Sequence, residues 1–491
     1  MEKKTRHLIP VHIGLMGHID AGKTAIARCF TEIISTAGLD KHSQSQERGI
    51  TIDLGFTFFQ LDQYMITLVD APGHADLIRS VVSAARIIDM AILVIDATKG
   101  PQVQTGEHLL ILDMLEIPYV IVLLNKIDLI SEIQISILEE KIHEIFKQTR
   151  YHGKISIYPV SARKCEGFKL VKQNILNYLN KNPVSRNISG NFKFLFDHHF
   201  LIKGKGTILT GTVLSGTRNI GESITILPLN QQFKIKSIQK WKTSTESIQA
   251  GDRCGIAVKG LNPDSIHRGD FAVDTLKPFV KCQILHVNLK ISKFFDHSCK
   301  FGQNLTVIHN MKPYNSKIYP VLQNQMDDKL ILEMLPDSKE KKEVLAFIWL
   351  EEEGFFQKGD DLLIMRMDLP PKQLRIVGIA NILSFEKPPI TIYRKKVKIG
   401  KVIRPNYSIN SVIVKNLAQS IKGAQFIMKY NPDPPFTQII APFGSKGLVE
   451  VKYNKQTLQK ITQKSEITEG FPISVKILKQ FTLDFSKSYH L

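Results

Sequence analysis

Eight residues near the N-terminus, Gly17-His18-Ile19-Asp20-Ala21-Gly22-Lys23-Thr24, satisfy G-x-x-x-x-G-K-[ST]. The glycines let backbone N–H groups curl around phosphate oxygens, and a helix opening at Lys23 would add a favourable dipole. Lys23 would reach the terminal phosphates, and the Thr24 hydroxyl is a hard oxygen ligand suited to Mg²⁺. That loop does not choose the base. Asn125-Lys126-Ile127-Asp128 does, because a carboxylate at Asp128 accepts from both N1–H and the exocyclic amine of guanine, a donor pair that adenine lacks. Ser161-Ala162-Arg163 is placed to close over the base with a backbone N–H.

Two further segments have the chemistry of a switch. In Asp70-Ala71-Pro72-Gly73-His74, Asp70 can hold Mg²⁺ through water and Gly73 can donate to a γ-phosphate. His74 is placed to orient an attacking water. Arg48-Gly49-Ile50-Thr51-Ile52-Asp53 supplies Thr51 as a second hydroxyl ligand of the metal. Both segments are expected to order around the γ-phosphate and relax after hydrolysis.

These loops need strand ends and helix starts to carry them. Apolar runs at 12–16, 65–69, 90–95, 119–124 and 155–160 suit strands buried on both faces of a mostly parallel sheet. Helical patterns at 23–37, 75–88, 105–115 and 136–149 alternate with them, which predicts a doubly wound α/β domain. After Asn182-Pro183 the pattern changes to short alternating strands, such as 207–214, 223–227, 233–239 and 254–258, separated by turn residues. That spacing predicts small antiparallel β-barrels. Breaks at Lys277-Pro278 and Lys387-Pro388-Pro389 give four domains: 1–183, 190–277, 278–388 and 389–491. The fold class is therefore multidomain, an α/β P-loop domain followed by three β-barrels.

The 491 residues are 43% hydrophobic and 23% charged, which excludes a largely disordered chain. No apolar run reaches the roughly 18–20 residues of a bilayer span. No secretory apolar region follows the basic N-terminus. Five scattered cysteines without a CxxC pair give neither a disulfide framework nor a zinc knuckle. A cytoplasmic protein without membrane partners is expected. The net charge of +19 is unevenly spread: residues 1–183 are neutral, 184–388 carry +7 and 389–491 carry +12. A basic C-terminal unit suggests a polyanion partner. Its aromatics Tyr393, Tyr407, Phe426, Tyr430, Phe443 and Tyr453 could stack on bases, although core filling is the expected role for most.

The P-loop, Arg48-Gly-Ile-Thr-Ile, Asp70-x-Pro-Gly-His and Asn125-Lys-x-Asp together resemble the translational GTPases of the elongation factor Tu class. The stretch from Ser35 through Asp53-Leu54-Gly55-Phe56 is similar, more narrowly, to the selenocysteine-specific elongation factors of archaea and eukaryotes. That resemblance implies a GTPase that carries selenocysteinyl-tRNA to the ribosome at recoded UGA codons, using Mg²⁺ with GTP or GDP. It implies an apolar gate of Ile19 and Ile50 beside His74. It also implies an aminoacyl pocket of Asp197, His198 and Arg253, where a cationic lining would favour an anionic selenol over a neutral thiol or hydroxyl. The fourth domain would bind RNA, the ribosome or a partner protein, connecting the carrier to an mRNA selenocysteine-insertion element directly or through such a partner, and the carrier would act as a monomer. Two departures stand out. Ala21 replaces the usual His of the class, and Ala25 replaces a frequent second Thr, which suggests weaker diphosphate binding without an obligatory exchange factor. The rival expectation is a general aminoacyl-tRNA or initiator-tRNA carrier with a basic RNA-binding scaffold. Against it stand the missing zinc knuckle and the extra basic unit beyond Pro388.

Overall fold

A computed structural model describes residues 8–31, 33–34, 55–70, 88–241, 243–326, 329–338, 342–370, 373–406, 410–415, 436–443, 448–454, 456 and 472–485. The Val- and Ile-rich runs of the first third form the expected sheet. Its strands are β1 (Ile9–Gly17), β2 (Ile33–Ile34), β3 (Gly55–Leu61), β4 (Tyr64–Asp70), β5 (Met90–Asp96), β6 (Val120–Asn125) and β7 (Ser156–Val160). Their order is β2-β3-β4-β1-β5-β6-β7. Strands β4, β1, β5, β6 and β7 run parallel, while β3 pairs antiparallel with both β2 and β4. Four described helices accompany the sheet: α1 (Lys23–Phe30), α2 (Val103–Met114), α3 (Glu132–Phe146) and α4 (Phe168–Lys181). The nucleotide motifs sit at the carboxyl ends of β1, β4, β6 and β7, where open parallel sheets bind ligands.

Several elements differ from the sequence expectation, each for a local reason. The helix expected over 23–37 ends at Phe30, because Thr31 is extended and Ile33–Ile34 pair with β3. β-branched residues favour that pairing over another helical turn. Helix α3 starts before 136, at a capping box in which the Ser131 Oγ accepts from Gln134 N and the Gln134 Oε1 accepts from Ser131 N. Helix α4 was not anticipated, although Phe168, Val171, Ile175 and Leu179 give it one continuous buried face. The helix expected over 75–88 lies outside the described residues, apart from its last position.

Strands β8 (Lys193–Ile202), β9 (Gly206–Ser215), β11 (Ser223–Leu227), β12 (Gln231–Lys240), β15 (Arg253–Val258) and β16 (Phe271–Val273) close a ring, β11-β16-β8-β9-β15-β12, through the β11–β12 pairing. Short strands β10 (Thr217–Asn219), β13 (Thr243–Thr245) and β14 (Ser247–Gln249) flank it. A second ring contains β17 (Phe279–Ile291), β18 (Gln303–His309), β19 (Lys312–Met326), β21 (Glu343–Gln357), β22 (Asp361–Met365) and β23 (Ile376–Glu386), closed by β18–β19. Strand β20 (Lys329–Met334) leads from it to β24 (Ile390–Asn406). The C-terminal strands β25 (Ser411–Lys415), β26 (Phe436–Phe443), β27 (Leu448–Tyr453) and β28 (Pro472–Leu483) pair in the order β28-β24-β25-β27-β26. Tyr453 is buried, in keeping with a core role.

The units share apolar cores rather than hanging on linkers. One cluster joins Ile111 and Leu112 of α2 to Phe271 and Val273 of the first barrel and to Met365 and Ile376 of the second. Another joins Tyr319 and Phe347 to Ile392, Leu483 and Phe485. Polar contacts fix the first barrel and the segment leading into it to the sheet. His12 Nε2 lies 2.8 Å from the Gly251 carbonyl, and Arg186 clamps Asp89 at 2.9 and 2.6 Å. Burial pushes the His12 imidazole down to about 4, so it is neutral at pH 7 and donates from Nε2.

Candidate functional site

Strand β1 runs into the phosphate-binding loop, and α1 leaves it. Gly17 and Gly22 hold positive φ of 143° and 90°. A Cβ at Gly17 would meet the Val94 carbonyl oxygen at 2.2 Å, and one at Gly22 would meet Asn125 Nδ2 at the same distance. Close backbone approach therefore requires glycine at both positions. Lys23 is nearly buried and donates to the carbonyls of Gly17 (3.0 Å) and His18 (2.9 Å), so its ammonium already crosses the loop.

The loop is gripped by side chains from other elements. His108 of α2 accepts from Gly17 N at 2.7 Å through Nδ1, and Gln104 Oε1 accepts from Ile19 N at 3.2 Å. Burial, with Lys23 and His18 nearby, pushes His108 down to about 3, so its acceptor nitrogen stays unprotonated. Burial and Lys23 likewise lower His18. Sequence reasoning missed Gln104 and His108; the polar run Gln102-Val-Gln-Thr-Gly-Glu-His at the start of a buried helix was the available signal.

The residues expected to bind the base lie together. Asn125 is buried, donates to the Ala21 carbonyl (2.9 Å) and accepts from Ala162 N (3.0 Å). Lys126, in left-handed conformation, donates to the Asp20 carbonyl (2.8 Å) and to Asp96 (2.6 Å). Burial raises Asp96, but its hydrogen bonds to Lys126 and Thr98 outweigh that and hold it below the usual carboxylate range. Ser161 donates to Asp128 at 2.7 Å, which lowers the Asp128 carboxyl and keeps it an acceptor. Arg163 is exposed beside them, and Ala25 is exposed on α1.

At the end of β4 the buried Asp70 accepts from Thr24 Oγ1 at 2.9 Å. A hydroxyl and a carboxylate converging beside the phosphate loop form a hard-oxygen set that fits Mg²⁺. Ile50, Thr51, Ala71, Gly73 and His74 lie outside the described residues, while Ile19 is half-buried in the loop.

A second constellation lies where the first barrel meets β3. The fully buried Asp197 takes a bidentate pair from Arg253, at 2.7 and 2.9 Å, and His198 Nδ1 sits 2.7 Å from its Oδ1. Burial raises the Asp197 carboxyl, but Arg253 and His198 more than offset this and hold it well below the carboxylate range. The three expected pocket residues are thus together, with one qualification to the cationic lining. Arg253 is neutralised by Asp197 and only 8% exposed, leaving His198, with 29% of its side chain exposed, as the accessible basic group. The Arg253 guanidinium also stacks on the Phe56 ring, and Phe58 packs on Trp241, 4.4 Å between ring centres. Phe56, Phe58 and Trp241 carried no sequence signal for this role.

A parallel sheet with a phosphate loop, a guanine-selecting Asn-Lys-x-Asp and two appended six-strand rings defines a GTPase of the translational class. Residues 10–181 match the elongation factor Tu GTP binding domain, 206–273 match elongation factor Tu domain 2, and 282–386 match domain III of the archaeal selenocysteine-specific elongation factor. The chain is 37% identical to the selenocysteine-specific elongation factor of Methanocaldococcus jannaschii over 91% of its own length and 95% of that protein. It is 40% identical to the factor of that name from Mus musculus over 53% of this chain and 48% of that one. Translation elongation factor SelB from Methanococcus maripaludis, in complex with the GTP analogue GppNHp, superposes with a TM-score of 0.78 at 32% identity, covering 96% of this chain and 99% of that one. The chain belongs to the family of selenocysteine-specific elongation factors and is a GTPase that hydrolyses GTP.

Proposed function

We propose that this chain binds selenocysteinyl-tRNA in its GTP state, delivers it to the ribosome at recoded UGA codons, and hydrolyses GTP on decoding. The observation that carries the reading is the Asp197–His198–Arg253 constellation, seated against β3 of the GTPase sheet only a few residues beyond Thr51. A selenol is anionic at neutral pH, whereas a cysteine thiol of pKa near 8.5 is mostly protonated. The half-buried edge of His198, held by Asp197 beside the paired Arg253, would select for that charge.

Division into 1–183, 190–277, 278–388 and 389–491 assigns nucleotide chemistry, the aminoacyl end, the tRNA body and a further polyanion contact in turn. The +12 of the last unit supports an mRNA insertion element or a protein bound to it as the partner of that unit. We take the carrier to be a cytoplasmic monomer; no helix among the described residues is long and apolar enough to cross a membrane. Thr24, Thr51 and Asp70 would hold Mg²⁺, which when bound supplies charge stabilisation at the phosphates. Lys23 orients the terminal phosphates, Asp128 reads the base, and His74 positions water beside the Ile19–Ile50 gate.

The test compares protection of the ester bond, with GTP present, in selenocysteinyl-tRNA, seryl-tRNA of the same body and an ordinary aminoacyl-tRNA. Protection confined to the first is expected. Equal protection of all three would replace this reading with that of a general carrier.

A further inference from the structure

Cys29 and Cys165 are 136 residues apart in sequence, yet their Cα atoms lie 5.7 Å apart and their sulfurs are joined. The scattered cysteine spacing gave no hint of this pair. Their positions matter more than the bond. Cys29 is in the last turn of α1, the helix whose first turn carries Lys23 and Thr24. Cys165 is in the loop from β7 to α4, three residues after Ala162. That loop is tightly closed: Ser161 and Glu166 exchange backbone hydrogen bonds of 3.2 and 3.1 Å, and Cys165 itself is left-handed at φ 54°. The Cys29 and Cys165 sulfurs lie 3.3 and 3.8 Å from the Ala162 carbonyl, so as thiols either could donate to it. The N–H of the same Ala162 holds Asn125, which in turn holds Ala21 of the phosphate loop.

The other three cysteines have a different environment. Cys254, Cys282 and Cys299 are buried, and burial pushes Cys282 up to about 12 and Cys299 up to about 11, with Cys254 also raised. They are shielded, protonated thiols at neutral pH, whereas Cys165 is exposed and Cys29 half-buried. Oxidation chemistry is therefore directed to one pair.

We propose that Cys29 and Cys165 form a reversible redox site that sets how long the nucleotide stays bound. With a low-molecular-weight disulfide RSSR as oxidant, the Cys165 thiolate attacks one sulfur and releases RS⁻, which takes up the proton that Cys165 lost. The Cys29 thiolate then attacks the Cys165 sulfur of the mixed disulfide, forming the Cys29–Cys165 bond and releasing the second RSH. Two protein thiols are oxidised by two electrons, and RSSR is reduced to two RSH. Excess dithiol reverses the exchange.

The consequence follows from what the bond joins. In the reduced protein the base loop is held to α1 by non-covalent contacts. In the oxidised protein it cannot swing away unless α1 moves with it, so the open conformations that release a nucleotide are depleted. This inference rests on the reading of Ser161-Ala162-Arg163 as the loop that closes on guanine.

The experiment uses the full chain equilibrated with oxidised glutathione or with dithiothreitol. Peptide mass mapping without reduction should recover a Cys29–Cys165 cross-linked fragment in the first sample only, with two fewer titratable thiols. Release of a fluorescent ribose-labelled GDP should be about three- to tenfold slower from the oxidised protein. Cys29→Ser and Cys165→Ser should each release at the reduced rate in both buffers. Absence of the cross-linked fragment, or equal release rates from oxidised and reduced wild type, overturns the proposal. Selection of GDP over xanthosine diphosphate by the reduced protein separates the two claims. If that selection persists while the rates are equal, only the redox role falls. If the reduced protein shows no such selection, the base-site reading falls and the redox role falls with it.

Discussion

The Arg253 guanidinium carbon lies 3.2 Å from the centre of the Phe56 ring, a contact that ties the proposed aminoacyl pocket to the GTPase sheet. Phe56 follows Gly55, which stands opposite Asp70 across the β3–β4 ladder. A change at the phosphate side of β4 is thus one strand away from the ring under the guanidinium. A cation over an aromatic face contributes about 0.5–2 kcal/mol, more when desolvated. Phe56→Leu keeps apolar volume and removes the π-face. It should leave GTP affinity unchanged and lower the preference for selenocysteinyl over seryl ester by about three- to tenfold, measured by ester protection. An unaltered preference would mean that Phe56 only fills space.

Removing the guanidinium has a larger and different effect. Arg253→Ala should reduce preference for the selenocysteinyl ester, but it also leaves the Asp197 charge buried without its main counter-ion. Breaking a buried pair from one side costs about 3–5 kcal/mol. The thermal midpoint of Arg253→Ala should therefore fall sharply, and adding Asp197→Asn should restore much of it. If stability returns in the double variant while preference does not, the guanidinium acts in recognition as well as in folding.

Hydrolysis is expected to separate from binding at His74. His74→Ala should retain GTP affinity and lower the ribosome-stimulated rate by at least about a hundredfold, the usual contribution of a positioned acid–base or orienting group. Single-turnover phosphate release on programmed ribosomes measures it. A stimulated rate like that of the wild type would remove His74 from the mechanism.

Base selection is expected to turn on Asp128, whose carboxyl is lowered by the Ser161 hydroxyl. Asp128→Asn replaces an acceptor edge with a mixed one that pairs with the 2-oxo group of xanthine. GTP affinity should drop by more than about tenfold, and xanthosine triphosphate should become the preferred ligand in competition. Continued preference for GTP would show that backbone groups, not Asp128, read the base.

The residues proposed to handle phosphate and guanine were legible because that chemistry demands fixed spacing along one chain. Gly17, Gly22, Lys23, Asn125 and Asp128 act within loops a few residues long, each set at the end of an apolar strand that is itself easy to read. Contacts made between units left no such trace. Phe56 reads as one more aromatic of an alternating strand until Arg253, almost 200 residues away, is placed on its ring. His108 and Gln104 read as ordinary helix residues until the fold brings α2 against the phosphate loop. Helix α1 was overextended because helical periodicity persists past Phe30, whereas the pairing of Ile33 and Ile34 with β3 is a tertiary event. Cys29 and Cys165 were invisible for the same reason: disulfide geometry depends on distance in space, and sequence spacing carries none of it.

Glu107 offers a test of how the GTPase sheet is coupled to the second barrel. It lies on α2 next to His108, the side chain that grips the phosphate loop, and it is buried at the shared core near Arg375. Burial pushes its carboxyl up from 4.5 to about 7, and Arg375 only partly opposes that. A carboxyl whose folded pKa is raised binds its proton more tightly when folded. Its favourable effect is complete below the unfolded value of 4.5 and is lost as pH rises through about 7. Stability should therefore decline between pH 5 and pH 8, by about 1–2 kcal/mol after allowance for solvent screening. Glu107→Gln resembles the protonated form at every pH. It should match wild type in thermal midpoint at pH 5, exceed it at pH 8, and flatten the slope between them. A parallel pH dependence in wild type and Glu107→Gln would place the titrating group elsewhere and leave Arg375 as the ion partner of an ionised Glu107.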